Sequence, residues 1–166
     1  LKRTLNRAVR ITVALTMPAA IGLLALAYPL TDLLYQHGHF TAHDTMQTAR
    51  ALEAYTIGLV CYSGIKVLVP AFYAVGDTRS PLVASFIAVL VNFGLNLFLM
   101  RSLGHVGLAL ATGLSAIFNF CQLWFWLRLK IGGFGGRKLM SSAVRIFGAS
   151  LLMGAVLFAF VWLTRG

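Results

Sequence analysis

The chain has 166 residues, 59% of them hydrophobic and 11% charged, where a soluble domain carries about 25% charged residues. That deficit, with a mean hydropathy of +0.84, excludes an ordinary soluble domain and points to a membrane. A formal net charge of +10 does not point to nucleic acid: the basic residues sit between apolar blocks, and no aromatic–basic interleaving builds a stacking surface.

Apolar blocks near the length a bilayer requires, about 20 residues, follow one another along the chain. They predict an all-α, polytopic transmembrane helix bundle of about five spans. Residues 1–10 form a basic segment with Lys2, Arg3, Arg7 and Arg10. The first span runs over 11–35, and Pro18 is expected to kink it. Residues 1–27 also have the outline of a signal peptide, with Ala25-Leu26-Ala27 as a cleavage-like site. Further apolar segments follow and the chain opens on Leu1, so the stretch reads as a first span and the chain as a piece of a longer protein.

A polar loop, QHGHFTAHD, leads to the second span, 45–73, which ends at the knot GDTRSP. The third span, 81–100, turns at RSLGH into the fourth, 106–127. Residues 11–127 thus hold four spans. A basic, glycine-rich loop, 128–141, should be flexible, and an additional transmembrane helix occupies 142–166. Basic residues fall mainly on one side: Lys2, Arg3, Arg7, Arg10, Arg79, Arg128, Lys130, Arg137, Lys138 and Arg145, against Arg101 and Arg165. The positive-inside rule puts the N-terminus in the cytoplasm and QHGHFTAHD outside.

The knot reads as a structural joint at the cytoplasmic face. Gly76 can take the left-handed conformation that ends a helix, Asp77 and Thr78 suit the turn, Ser80 is a good N-cap and Pro81 fits the first helical position. Arg79 has no structural demand here beyond its topogenic charge. Lys66 is harder to place. It lies about 10 Å from the end of its span, where an unpaired charge costs up to about 3 kcal/mol. The acids Asp32, Asp44 and Glu53 belong to the other half of the bundle, and Asp77 is about 16 Å along the helix. Two readings stay open: Lys66 snorkels to headgroups, or it faces a wet cavity and an anion.

Arg50 and Glu53, three apart, share a helix face and can pair or line a polar vestibule. Asn92 with Asn96, and Asn119 with Gln122, mark faces suited to interhelical hydrogen bonds or to a polar lumen. His37, His39 and His43 with Asp44 lack the spacing of a helical zinc site, so no metal is expected. Cys61 and Cys121 have no sequence neighbour to pair with and read as small buried apolar groups. No nucleophile–base arrangement or carboxylate pair is present, and GGFGG lacks the context of a phosphate loop. Neither an enzyme active site nor a cofactor is expected.

LYQHGHFTAHDTMQTARALEAYTIGL followed by KVLVPAFYAVGDTRSP resembles the second half of the MurJ/MviN lipid II flippase family. The matching positions are Phe40, Thr41, Asp44, Thr45, Lys66, Val67, Leu68, Phe72, Tyr73, Ala74, Asp77, Thr78 and Pro81. Val75 departs from a commonly basic position, and Ser80 replaces a commoner Thr. The resemblance implies two six-helix lobes plus two extra helices, within the multidrug/oligosaccharidyl-lipid/polysaccharide exporter superfamily, of which this chain holds most of the second lobe and one extra helix. It implies a bacterial inner-membrane protein moving a lipid II-like, lipid-linked anionic substrate to the outer leaflet by alternating access. The partners implied are the bilayer and the rest of the same polypeptide. Lys66, Arg50, Glu53, Asn92 and Asn96 are then candidate substrate-binding residues. The rivals are a flippase for another polyprenyl-linked saccharide and a membrane interaction module that transports nothing.

Overall fold

The computed structural model describes residues 2–35, 41–132 and 136–165. Four helical elements follow in order: α1 (Lys2–Tyr35), α2 (Ala42–Ala74), α3 (Arg79–Ile131) and α4 (Gly136–Arg165). Each contains a stretch long and apolar enough to cross a bilayer.

α1 has 34 residues, about 51 Å of helix against a hydrocarbon core of about 30 Å. Its surplus is the basic segment, which is helical from Lys2 onward rather than a separate lead-in. Lys, Arg, Leu and Ala are good helix formers, and no Gly or Pro interrupts them before Pro18. The helix continues through both Pro18 and Pro29.

α2 begins at a capping box. The Thr41 hydroxyl accepts from Asp44 N–H at 3.3 Å, and the Asp44 carboxylate accepts from Thr41 N–H at 3.0 Å. Two otherwise orphaned donors are satisfied reciprocally. At its other end, Gly76 N–H donates to Tyr73 O at 3.0 Å and Asp77 N–H to Phe72 O at 3.0 Å, with Gly76 at φ 76. This is the Schellman pattern, and it places Gly76 in the left-handed role its sequence position predicts.

α3 has 53 residues, about 80 Å if straight. It is not straight. Gly104, at φ 56 and ψ −131, breaks the helix, and the chain folds back there. Asn92 Nδ2 donates to Ser115 Oγ at 3.1 Å across the fold, and a Cβ on Gly107 would lie 2.3 Å from Leu99 O. The expected turn at RSLGH is therefore present, and the four elements form five helical rods. α3 then runs on to Ile131, further than expected, because Arg128 and Lys130 in its last turn suit the negative end of the helix dipole. Gly132, at φ 72, follows as its C-cap. The loop expected over 128–141 is correspondingly shorter, since α4 starts at Gly136; residues 133–135 lie outside the described ones.

The core joins α1, α2 and both limbs of α3 through Leu5, Val9, Leu68, Phe72, Ala84, Leu123 and Leu127. Small residues bring backbones together, as suits helices in lipid. A Cβ on Gly58 of α2 would sit 2.6 Å from Gly113 Cα. α1 packs along α4, where Arg10 Nε donates to Ser142 Oγ at 3.1 Å and a Cβ on Gly154 would meet Ile21 Cγ2 at 2.5 Å. The α1–α4 contacts rise together in number, so those helices are parallel. The start of α1, the α2–α3 joint, the end of α3 and the start of α4 gather at one end. That end holds the ten residues assigned above to the basic side.

Candidate functional site

At the α2–α3 joint the carboxylate of Asp77 does the capping that the sequence assigned to Ser80. Asp77 Oδ1 accepts from Arg79 N–H at 3.1 Å and from Ser80 N–H at 3.0 Å, while Thr78, the N-cap residue, makes no side-chain cap bond. The correction follows from reach: Ser80 lies inside the first turn, where its own N–H needs an acceptor upstream. Pro81 is buried at the third helical position, still within the turn where a missing N–H costs nothing. Asp77 Oδ2 also pairs with Lys130 at the end of α3. Those bonds, the one from Lys130 first and those from Ser80 next, hold the Asp77 carboxyl well below the usual carboxylate range.

Lys66 projects from the outward face of α2 with its side chain exposed. Its ammonium lies 5.1 Å from the centroid of the Tyr62 ring, a cation–π arrangement one helical turn back. Tyr55, Tyr62 and Tyr73 are exposed, and a 100° step per residue puts them on the same strip as Lys66. This tyrosine strip escaped the sequence reading. Its signal was the spacing of tyrosines at 55, 62 and 73 around a lysine.

Tyr55 and Tyr62 also line a cavity of about 360 Å³ among α1, α2 and the second limb of α3, with Leu23, Gly58, Thr112 and Gly113. From Thr112 a chain of hydrogen bonds leads away. Ser115 Oγ donates to Thr112 O at 2.9 Å, Asn92 Nδ2 to Ser115 Oγ at 3.1 Å, and Asn96 Nδ2 to Asn92 Oδ1 at 2.9 Å. The structure thus brings Asn92 and Asn96 into an interhelical network that ends beside the tyrosine cavity. Asn96 Oδ1 is buried without a donor among the described residues.

Arg50 and Glu53 do not join this group. On a regular helix they fall about 140–160° round α2 from Lys66 and about 20 Å or more along it. Both are exposed, and the ion pair expected between them is absent; among the described residues the ion pair is Lys130–Asp77. For two exposed side chains, the entropy of fixing both offsets their attraction. Asn119 Oδ1 and Gln122 Oε1 are buried without donors among the described residues. Cys61 and Cys121, distant in sequence, line one shared groove, and Cys121 is exposed rather than buried. His37 and His39 lie outside the described residues. His43 is exposed, its Nε2 3.4 Å from Gln47 Nε2.

A model of the family "Lipid II flippase MurJ" matches residues 1–165. The chain belongs to that family. It is similar to a probable lipid II flippase MurJ of Rickettsia prowazekii, 34% identical over 94% of this chain and 30% of the relative. A probable lipid II flippase MurJ of Vibrio cholerae is 35% identical over 98% of the chain and 32% of the relative. Among solved structures, a lipid II flippase MurJ in an inward closed conformation superposes with a TM-score of 0.81 at 30% identity, covering 98% of this chain and 32% of that one. The chain spans about a third of the length of these MurJ relatives. It is an all-helical, multi-pass membrane segment of a transporter family, within the exporter superfamily to which MurJ belongs.

Proposed function

We propose that this chain is part of a lipid II flippase of the bacterial inner membrane, its basic end in the cytoplasm. In this reading the remainder of the same polypeptide completes a cavity against the Lys66 strip. Membership of the MurJ family carries the reading, and the exposed, acid-free setting of Lys66 supports the role given to it. The substrate class is a pyrophosphate-linked lipid. Lys66 contributes positive charge along its path, Tyr55 and Tyr62 offer hydroxyls and ring faces to its sugar moiety, and Asn92 and Asn96 hold the α3 hairpin and present amides nearby. Arg50 and Glu53 lie at the far end of α2 and act there as parts of a polar vestibule. No covalent chemistry is required of any of them. A charge crossing hydrocarbon is costly, and a lysine free of local acids lowers that cost for an anion without competition.

The test is complementation of flippase loss by the full-length protein. Losing one charged contact is worth about 1.5–3 kcal/mol, so Lys66→Met should lower transport roughly 10- to 100-fold while membrane insertion and expression stay intact. Lys66→Arg should restore part of the activity. Full complementation by Lys66→Met would remove Lys66 from the substrate path.

A further inference from the structure

We propose that the cleft between the N-terminal parts of α1 and α4 binds an anionic glycerophospholipid. Its phosphate rests on Arg3, Arg7 and Arg10, and an acyl chain lies in the adjoining apolar groove. This site is separate from the Lys66 strip, which plays no part in it.

The three arginines recur at i, i+4 and i+7, one face of α1. They line a cleft of about 750 Å³ together with Asn6 and Ser142. Helix stability does not explain them. Arg3 sits in the first turn of α1, at the positive end of its dipole, where cations are unfavourable, and that turn contains no acidic residue. No ion pair relieves them among the described residues; Asp77 at the same end is taken by Lys130. Arg10 is already oriented, its Nε donating to Ser142 Oγ at 3.1 Å. Planar guanidinium groups match the geometry of a phosphodiester. Asn6 Oδ1 is buried without a donor among the described residues, and a headgroup hydroxyl would supply one.

The neighbouring groove separates a lipid from a soluble anion. Arg10, Ser142 and Ile146 line both the cationic cleft and an apolar groove of about 610 Å³, which continues past Val13, Met17 and Phe125. A charged mouth opening onto an apolar groove is complementary to a headgroup joined to a chain. Free phosphate would use only the mouth.

The test is native mass spectrometry of the whole protein as expressed from its gene, purified with dioleoylphosphatidylglycerol or dioleoylphosphatidylcholine. Each basic residue near a surface strengthens anionic-lipid attraction several-fold, so phosphatidylglycerol should be retained at least about tenfold better. The triple variant Arg3→Gln, Arg7→Gln, Arg10→Gln should lose that preference. The double variant Arg79→Gln, Arg128→Gln, which removes charge at the same end outside the cleft, should keep it. Ala14→Trp fills the cleft with all three arginines intact and should also lose retention, which keeps the test decisive if the triple variant fails to fold. Val13→Trp, which blocks the groove alone, should weaken retention, and millimolar inorganic phosphate should not displace the lipid. Equal retention of the two lipids, equal loss in the double variant, unchanged retention in Ala14→Trp, or full displacement by phosphate would each overturn the proposal.

Discussion

At Asp77 one carboxylate holds three groups: the N–H of Arg79, the N–H of Ser80 and the Lys130 ammonium. Its pKa lies below the ordinary 3.8. A carboxylate depressed in the folded state gives stability that is complete above its unfolded pKa and is lost as pH falls through the folded one. In detergent, Asp77→Asn should therefore melt below the wild type at neutral pH, and the gap should close as pH falls below about 4. Asp77→Ala, which also removes the cap acceptor, should melt lower still at neutral pH. Lys130 is 45% exposed, so added salt should shrink the Asn effect and leave the cap component. A gap that stays constant down to pH 3 would show that the ion pair contributes nothing. Half of this residue's role was legible. The knot GDTRSP announced a joint, and Gly76 took the left-handed position. The capping oxygen went to Ser80 because its hydroxyl adjoins Pro81, and Lys130 is fifty-three positions away, beyond the reach of local spacing.

The elements themselves were legible because hydropathy and length decide them. α1, α2 and both limbs of α3 match the expected spans to within a few residues, apart from extensions at their basic ends. Hydropathy cannot see those extensions, because Lys and Arg are apolar-poor yet good helix formers. The start of α2 was readable from a signal left unused, Thr41-Ala42-His43-Asp44, a capping box three positions ahead of the expected start. Glycine contacts were not legible, since only the packed structure shows which glycines meet a backbone. Gly58→Ala drives a methyl to 2.6 Å from Gly113 Cα, where no flexible side chain can yield. It should destabilise the α2–α3 contact by about 1–3 kcal/mol. Gly104→Ala must hold φ 56 with a side chain, at a cost of about 1–3 kcal/mol. Gly94 meets nothing within 4 Å, and Gly94→Ala should stabilise its helix by about 0.5–1 kcal/mol. Thermal unfolding in one detergent ranks the three. Gly58→Ala melting at or above Gly94→Ala would contradict the close α2–α3 crossing.

At the scale of the whole molecule, the rods bring together what the sequence scatters. Lys2, the α2–α3 joint, Lys130 and the start of α4 share one end, while Tyr35, Thr41 and Arg101 lie toward the other. By the positive-inside rule that segregation predicts a cytoplasmic side for the basic end. Loop charge alone predicted that these residues share one end; the cytoplasmic side for that end is our proposal. The parallel packing of α1 with α4, which makes the α1–α4 cleft, was not, because nothing in either helix names its partner. Orientation is testable on a background of Cys61→Ala and Cys121→Ser. A single cysteine at Ala42, exposed at the start of α2, should react with a membrane-impermeant maleimide on cells whose outer membrane alone has been opened. A cysteine at Ser141, exposed near the start of α4, should react only once the inner membrane is also breached. The two sites act as mutual controls, since the positions share exposure and differ in which end of the bundle carries them. The opposite pattern would invert the bundle and overturn the cytoplasmic placement proposed for its basic end.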